Sequence, residues 1–187
     1  GLDINGLGIA EEKIGGKVAN EIFHEQRLLE LAQAVCKGDL SGIERELKVG
    51  ADPNGKGAQG VTPLFWALEC KNLKGVEALL KAGADPNYRL PDPRSRGSPV
   101  CDAATFKDPA FLKLLLRYHG DPNATLANSP WTALRLALSL GMNGGGWDNY
   151  TTLLNGGADI NRSYADFTIA DSAAAGGRFE RVVELLD

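Results

Sequence analysis

Apolar residues recur along this chain in short runs at helical spacing, and each run is cut off by nearly the same polar phrase. The runs are Val76-Glu77-Ala78-Leu79-Leu80, Phe111-Leu112-Lys113-Leu114-Leu115-Leu116 and Tyr150-Thr151-Thr152-Leu153-Leu154, with Ile43, Leu47 and Val49 filling the same place upstream. That spacing predicts helices with one apolar inner face. The phrases that follow are Gly50-Ala51-Asp52-Pro53-Asn54, Gly83-Ala84-Asp85-Pro86-Asn87, His119-Gly120-Asp121-Pro122-Asn123 and Gly157-Ala158-Asp159-Ile160-Asn161. A glycine suits the left-handed position that ends a helix, and proline soon after prevents its resumption. His119 stands in place of that glycine, and histidine tolerates positive φ better than most residues do. A second signal recurs along the chain: Thr62-Pro63-Leu64, Ser98-Pro99-Val100, Thr132-Ala133-Leu134 and Thr168-Ile169-Ala170. A hydroxyl followed by proline is an N-cap with proline at the first helical position. Behind it come small residues such as Ala67 and Ala103-Ala104, which let helices approach closely.

The unit is therefore turn, helix, turn, helix. The aspartates of the four phrases, at 52, 85, 121 and 159, lie 33, 36 and 38 residues apart. A period of that length predicts a stack of repeats, in which each unit buries its apolar face on its neighbours. The pattern resembles the ankyrin-repeat family, whose units read Thr-Pro-Leu-His-x-Ala-Ala, a second helix, then Gly-Ala-Asp-x-Asn. The resemblance implies an all-α solenoid of about five helix-turn-helix units with finger loops, over residues 25–187, with 1–24 as an N-terminal extension or cap. The last unit is expected from about Ala165, its second helix running from Arg181 to Leu186. The family's histidine after Thr-Pro-Leu, which ties neighbouring repeats, is replaced by Phe65, Cys101, Arg135 and Asp171. The expectation is a stack that leans more on apolar packing and less on that bond.

Composition narrows the chemistry. With 20 basic and 24 acidic residues the net charge is −4, which argues against a general phosphate-binding surface and so against nucleic acid as partner. No apolar run approaches the 18 or so residues of a membrane span, and direct membrane insertion is not expected. Metalloprotease, Cys-x-x-Cys, nucleophile-elbow and phosphate-loop signatures are absent, and only His24 and His119 could serve a metal or a triad. No catalytic residue, cofactor or metal is expected, and an enzyme pairing Cys101 with His119 is the weakest reading. The three cysteines, Cys36, Cys70 and Cys101, are expected as thiols. Cys36 and Cys70 fall on helices of adjacent repeats whose axes pack about 8–10 Å apart, whereas a disulfide wants Cα atoms within about 7 Å.

Two stretches exceed the repeat length: 88–97, a long finger loop, and 141–149, an insertion between the helices of the fourth unit. The stack does not need them, and such loops often carry function. The finger holds Arg89, Arg94 and Arg96 beside Tyr88, against one aspartate, with two prolines limiting its entropy. Stiffened arginine next to an aromatic suits an acidic partner, although a solvated loop would read the same way. Trp131 and Tyr164 lie just before helix caps in the fourth and fifth fingers, and Trp147 sits in the insertion. Phe106 falls at a helix end that usually faces the concave surface. For Trp131 and Trp147, covering their own core is the alternative. Trp66 is expected in the interior.

These residues make up the expected partner-binding set of a non-catalytic interaction module, monomeric alone and heterodimeric with its partner. With degenerate repeats and few histidines, the chain looks like bacterial ankyrin-repeat immunity proteins of the type VI secretion system that neutralise a phospholipase effector. That resemblance implies a toxin or effector enzyme as partner, blocked at its active-site entrance. The alternative is an ankyrin scaffold or host-interaction protein that recruits partners without inhibiting them. Gly1 rather than Met opens the sequence, giving the expectation that an upstream segment was removed. A removed secretory signal would favour the periplasm; otherwise the cytoplasm is expected.

Overall fold

Every hydroxyl-and-proline signal in the described part of the chain starts a helix. The computed structural model describes residues 18–92, 95–127 and 129–162. Within them lie α1 (Ala19–Ile22), α2 (Gln26–Lys37), α3 (Leu40–Lys48), α4 (Pro63–Glu69), α5 (Leu73–Lys81), α6 (Pro99–Ala103), α7 (Ala110–Arg117), α8 (Ala133–Met142) and α9 (Asp148–Asn155). The hydroxyls of Thr62, Ser98 and Thr132 accept the amides of Phe65, Cys101 and Arg135 at 3.5, 3.3 and 3.2 Å, so one otherwise orphaned N–H is satisfied at the start of α4, α6 and α8. No strand occurs among the described residues beyond one isolated bridge, and the helices are consistent with the all-α repeat solenoid that the resemblance implied. The expected fifth unit, with Thr168 and the helix from Arg181, lies outside the described residues, as do residues 1–17.

The second helices end alike. Gly50, Gly83, His119 and Gly157 have φ of 101, 91, 69 and 94°, the left-handed region expected of them. Just beyond, the amides of Ala51, Ala84, Gly120 and Ala158 return to the carbonyls of Glu46, Leu79, Leu115 and Leu153 at 2.9, 2.9, 2.8 and 2.9 Å. These bonds satisfy carbonyls that a helix end leaves free. The Asp-x-Asn phrases at Asp52, Asp121 and Asp159 close on themselves, these aspartates accepting the amides of Asn54, Asn123 and Asn161 at 2.8, 2.8 and 2.9 Å.

The asparagines do more than turn the chain. Asn54 Nδ2 donates to the Gly83 carbonyl at 2.9 Å while its Oδ1 accepts the Asp85 amide at 2.8 Å. Asn87 repeats the pattern on His119 and Asp121 at 2.9 and 2.7 Å, and Asn123 accepts the Asp159 amide at 2.8 Å. A polar ladder thus binds each phrase to the next within a unit, alongside the apolar packing of the helices. The bonds run to backbone 31–36 residues away.

The chain divides into two compact units, Gly1–Asp85 and Pro86–Asp187. In the first, α2 packs on α3, α4 and α5, and α4 on α5, over a core that includes Leu31, Val35, Ile43, Leu64, Leu68, Val76 and Leu79. Trp66 is 1% exposed, as expected of an interior residue, and Phe23 stands edge-on to it with ring centroids 6.0 Å apart. Helix α1 packs on α2 and on the 3-10 turn Ala58–Gly60. Val49, expected inside with Ile43, is 48% exposed because α3 ends at Lys48 and Val49 turns outward as its cap.

Where α5 begins, it rests directly on the end of α2. Asn72 caps α5 by accepting the Gly75 amide at 3.0 Å and donates to the Cys36 carbonyl at 3.2 Å. Gly75 is needed there, since a Cβ on it would lie 2.1 Å from the Val35 carbonyl oxygen. At this junction the expectation of three thiols fails: Cys36 and Cys70 form a disulfide with Cα atoms 5.3 Å apart, and Cys101 is the buried free thiol. Axis spacing is not Cα spacing. Backbone Cα atoms sit about 2.3 Å from a helix axis, so facing residues of helices about 8–10 Å apart come about 4.6 Å closer than the axes.

In the second unit α6 packs on α7 and α8, α8 on α9, and α7 on α9. Val100, Ala103, Ala104, Leu112, Leu115, Leu134, Ala137, Leu138, Tyr150 and Leu153 fill its interior. Asn149 ties α9 to the end of α6, donating to the carbonyls of Phe106 at 2.7 Å and of Ala103 and Ala104 at 3.3 Å.

Candidate protein-binding surface

The second unit brings two fingers together. In the long one, 88–97, Leu90 N donates to the Gly97 carbonyl at 2.8 Å and closes the loop, and Gly97 takes φ of 80°. The next finger is a hairpin: Thr125 and Thr132 form an antiparallel bridge, Leu126 N donates to Trp131 O at 2.9 Å, and Ala133 N donates to Ala124 O at 2.8 Å. Backbone meets backbone between the two, since a Cβ on Gly97 would come within 3.0 Å of Ala127 N and 3.1 Å of Thr125 O.

Arg89 staples the pair. Its guanidinium donates to Thr125 Oγ1 at 3.0 Å and to the carbonyls of Leu126 and Ala127 at 2.7 and 3.1 Å. The planar fork of arginine suits several acceptors at once, and these are neutral, so the side chain keeps its charge while holding the fingers in register. Arg89 thus positions the surface, a role that its sequence context did not announce.

Other candidate residues divide. Tyr88 is half-buried at the base of the long finger. Arg96 is exposed, donates to Thr105 Oγ1, and has Nε 3.8 Å from Asp102 Oδ1. Trp131 is half-buried, with the Arg135 guanidinium 4.2 Å above its ring centroid. A cation over an indole face is held by the ring quadrupole, which fixes both side chains near the hairpin. Arg135 was legible in the sequence as the replacement for the family histidine, on the first turn of α8, while Trp131 stands just before the Thr132 cap.

Phe106 and Trp147 are turned to other work. Phe106 is 8% exposed and packs edge-on against Phe111, centroids 5.4 Å apart, so its ring does not lie on the surface as expected. The reason is the short α6, which ends at Ala103 and lets Phe106 fold back under α7. Trp147 is half-buried, edge-on to Tyr150 at 5.9 Å, and covers Gly141, where a Cβ would lie 2.7 Å from the indole. Arg94 and Tyr164 lie outside the described residues.

Electrostatics adds one fact about chemistry. Burial pushes the Cys101 thiol above its ordinary pKa, with the Ser98 hydrogen bond and Arg89 pulling the other way. A buried, protonated thiol is a poor nucleophile. Among the described residues no group of three or more His, Cys, Asp or Glu side chains is placed to hold a metal, and no helix is long and apolar enough to cross a membrane.

Residues 59–89 match the ankyrin-repeat family model, which supports placing the chain in that family; repeats of this kind typically serve protein–protein interaction. The match spans the repeat with the full Thr-Pro-Leu and Gly-Ala-Asp-Pro-Asn wording. No curated protein matches the chain.

Proposed function

We propose that this chain is a non-catalytic module that binds and inhibits one protein partner, a secreted lipid-degrading toxin, forming a heterodimer with it. The observation that carries the reading is the stapled finger pair, with Tyr88, Arg96, Trp131 and Arg135 set around it. Binding costs ordering entropy, and fingers already fixed by Arg89 and by the Trp131–Arg135 stack avoid much of that cost. Tryptophan, tyrosine and arginine are the residue types that carry most interface energy. An inhibitor of this kind excludes substrate by covering the enzyme's entrance and performs no chemistry.

The Cys36–Cys70 disulfide supports a location outside the cytoplasm, because such bonds form and persist in oxidising compartments. A toxin that attacks lipid from the periplasm would be met there. In this reading the described part of the N-terminal extension acts as a cap, with α1 on α2 and Phe23 edge-on to Trp66.

The test is affinity capture from a bacterial envelope extract, followed by phospholipid hydrolysis assays on the retained enzyme. The native chain should inhibit one hydrolase stoichiometrically, with a dissociation constant of nanomolar order. Arg96→Glu with Trp131→Ala should weaken inhibition by about 100-fold or more, the loss of two hot-spot side chains. Several weakly held proteins and no inhibited hydrolase would leave a scaffold and end the inhibitor reading.

A further inference from the structure

Helix α3 exposes one continuous face made of Leu40, Ser41, Glu44, Arg45, Lys48 and Val49. Five of these residues line a shallow hollow of about 390 Å³. Leu40 and Val49 are 53% and 48% exposed, and with Leu73 they are the exposed large hydrophobic residues of the described chain. Any exposed helical stripe is symmetric in position about its midpoint; residue type need not be. Here it is. When two copies of a helix run antiparallel about a two-fold axis between positions 44 and 45, Leu40 faces Val49, Ser41 faces Lys48, and Glu44 faces Arg45, each pair occurring twice. Apolar meets apolar at the two ends, and acid meets base twice at the centre.

The corresponding helices lack this property. On α5 the same construction sets Glu77 against Ala78 at the centre, Lys74 against Lys81 beside it and Leu73 against Ala82 at the ends, so the central acid has no base and a like-charge pair flanks it. On α7 the exposed charges are Lys113 and Arg117, both positive. On α9 the exposed positions are Asp148, Thr151 and Asn155, with no apolar residue. Repeat architecture alone would have made these faces alike, so self-complementarity belongs to α3.

We infer that the outer face of α3 is a self-association surface whose occupant is α3 of a second copy of this chain, lying antiparallel. In the single chain Glu44 pairs with Lys48 at 2.9 Å and Arg45 with Glu46 at 3.2 Å, both on the same helix. Docking exchanges the exposed Glu44–Lys48 pair, worth little in water, for two Glu44–Arg45 pairs flanked by apolar contacts, while Arg45 keeps its Nε on the buried Glu46 and offers its terminal nitrogens across the axis. The affinity is bounded by area. A nine-residue helix is about 13.5 Å long and a face about 10 Å wide, far less than the roughly 800 Å² per partner of a standard interface. Leu73 adds apolar surface one repeat along, and the dimer remains weak, with a dissociation constant of high-micromolar order. The chain is then monomeric when dilute and paired only when concentrated. This surface holds none of the finger residues, so the inference stands or falls independently of the proposed inhibition.

The test is sedimentation equilibrium of the full chain from about 10 µM to 1 mM at low salt. The expected result is an average mass rising from 19.9 kDa toward twice that value with concentration. Glu44→Arg alone places four cations about the axis and should return the mass to the monomer value; Arg45→Glu alone should do the same with acids. The double swap, Glu44→Arg with Arg45→Glu, restores both pairs and should restore association. Both substituted positions are exposed, and circular dichroism melts confirm that the variants stay folded. A monomer at every concentration, single swaps that leave association intact, or a double swap that fails to rescue it would each overturn the antiparallel α3 pairing.

Discussion

Reducing the Cys36–Cys70 disulfide should cost this protein a large share of its stability without altering its folded contacts. The bond links residues 34 apart in sequence. Cross-linking a loop of that length removes about 12.6 cal/mol/K from the unfolded chain, or about 3.8 kcal/mol at 25 °C. Domains are commonly stable by about 5–15 kcal/mol, so the loss is decisive rather than marginal. The native junction has other holds: Asn72 still donates to the Cys36 carbonyl, and Gly75 still seats α5 on Val35. The folded state should therefore survive reduction, and the effect should fall on the unfolded ensemble. Urea unfolding followed by circular dichroism, with and without prior reduction, measures it. The expected outcome is a drop of about 3–4 kcal/mol together with a steeper denaturant slope, because the uncrosslinked chain exposes more surface. Thiol titration checks the pairing: in denaturant one thiol, Cys101, should react before reduction and three afterwards. Equal stability within about 0.5 kcal/mol would refute the loop argument. Loss of amide protection in α2, α4 and α5 of the reduced chain under native conditions would show instead that the bond shapes the fold itself.

Three further outcomes are expected. Asn87→Ala removes the bonds to His119 and Asp121, and at a net of about 0.5–1.5 kcal/mol each the variant should lose about 1–2 kcal/mol in urea unfolding, the exposed site taking the lower half of the range. Arg89→Lys keeps the charge but lacks the fork, so hydrogen exchange at the Leu126 and Ala133 amides of the hairpin should quicken by about tenfold, as for a loss of about 1.4 kcal/mol in local opening, while global unfolding stays within about 0.5 kcal/mol. Tyr150 has a buried hydroxyl with no hydrogen-bond partner among the described residues, and burial pushes its pKa up to about 12 from the usual 10. The folded state then holds the proton longer than the unfolded one; stability is intact below pH 10 and falls by roughly 2–3 kcal/mol as pH rises to 12. Tyr150→Phe should abolish that fall in alkaline urea titrations and, by removing an unsatisfied buried group, leave neutral-pH stability equal or higher by about 1 kcal/mol.

What was legible in the sequence was what the chain settles locally. Thr62, Ser98 and Thr132 cap helices through amides three residues on, and Gly50, Gly83, His119 and Gly157 end them through their own φ, so spacing alone located the helices. What was not legible depends on residues one repeat away. The asparagine that closes a turn in one phrase reaches backbone in the next, and nothing in Asp-Pro-Asn distinguishes a turn residue from a rung of a ladder. Cys36 and Cys70 depend on which sides of two helices face, a rotation that axis spacing leaves open. Arg89 looked like a contact residue because its own loop is basic, and its acceptors lie 36–38 residues downstream. Phe106 was expected on the surface, and Trp147 either there or over its own core: an irregular loop leaves both open, and here a ring near a short helix or a glycine closes the space that the irregularity opened. In a repeat protein the period hides these differences, because equivalent positions share a local environment and differ in what the neighbouring repeat presents. Function in such a chain is therefore sought where equivalent positions stop being equivalent, as Arg89, Trp131 with Arg135, and the outer face of α3 do.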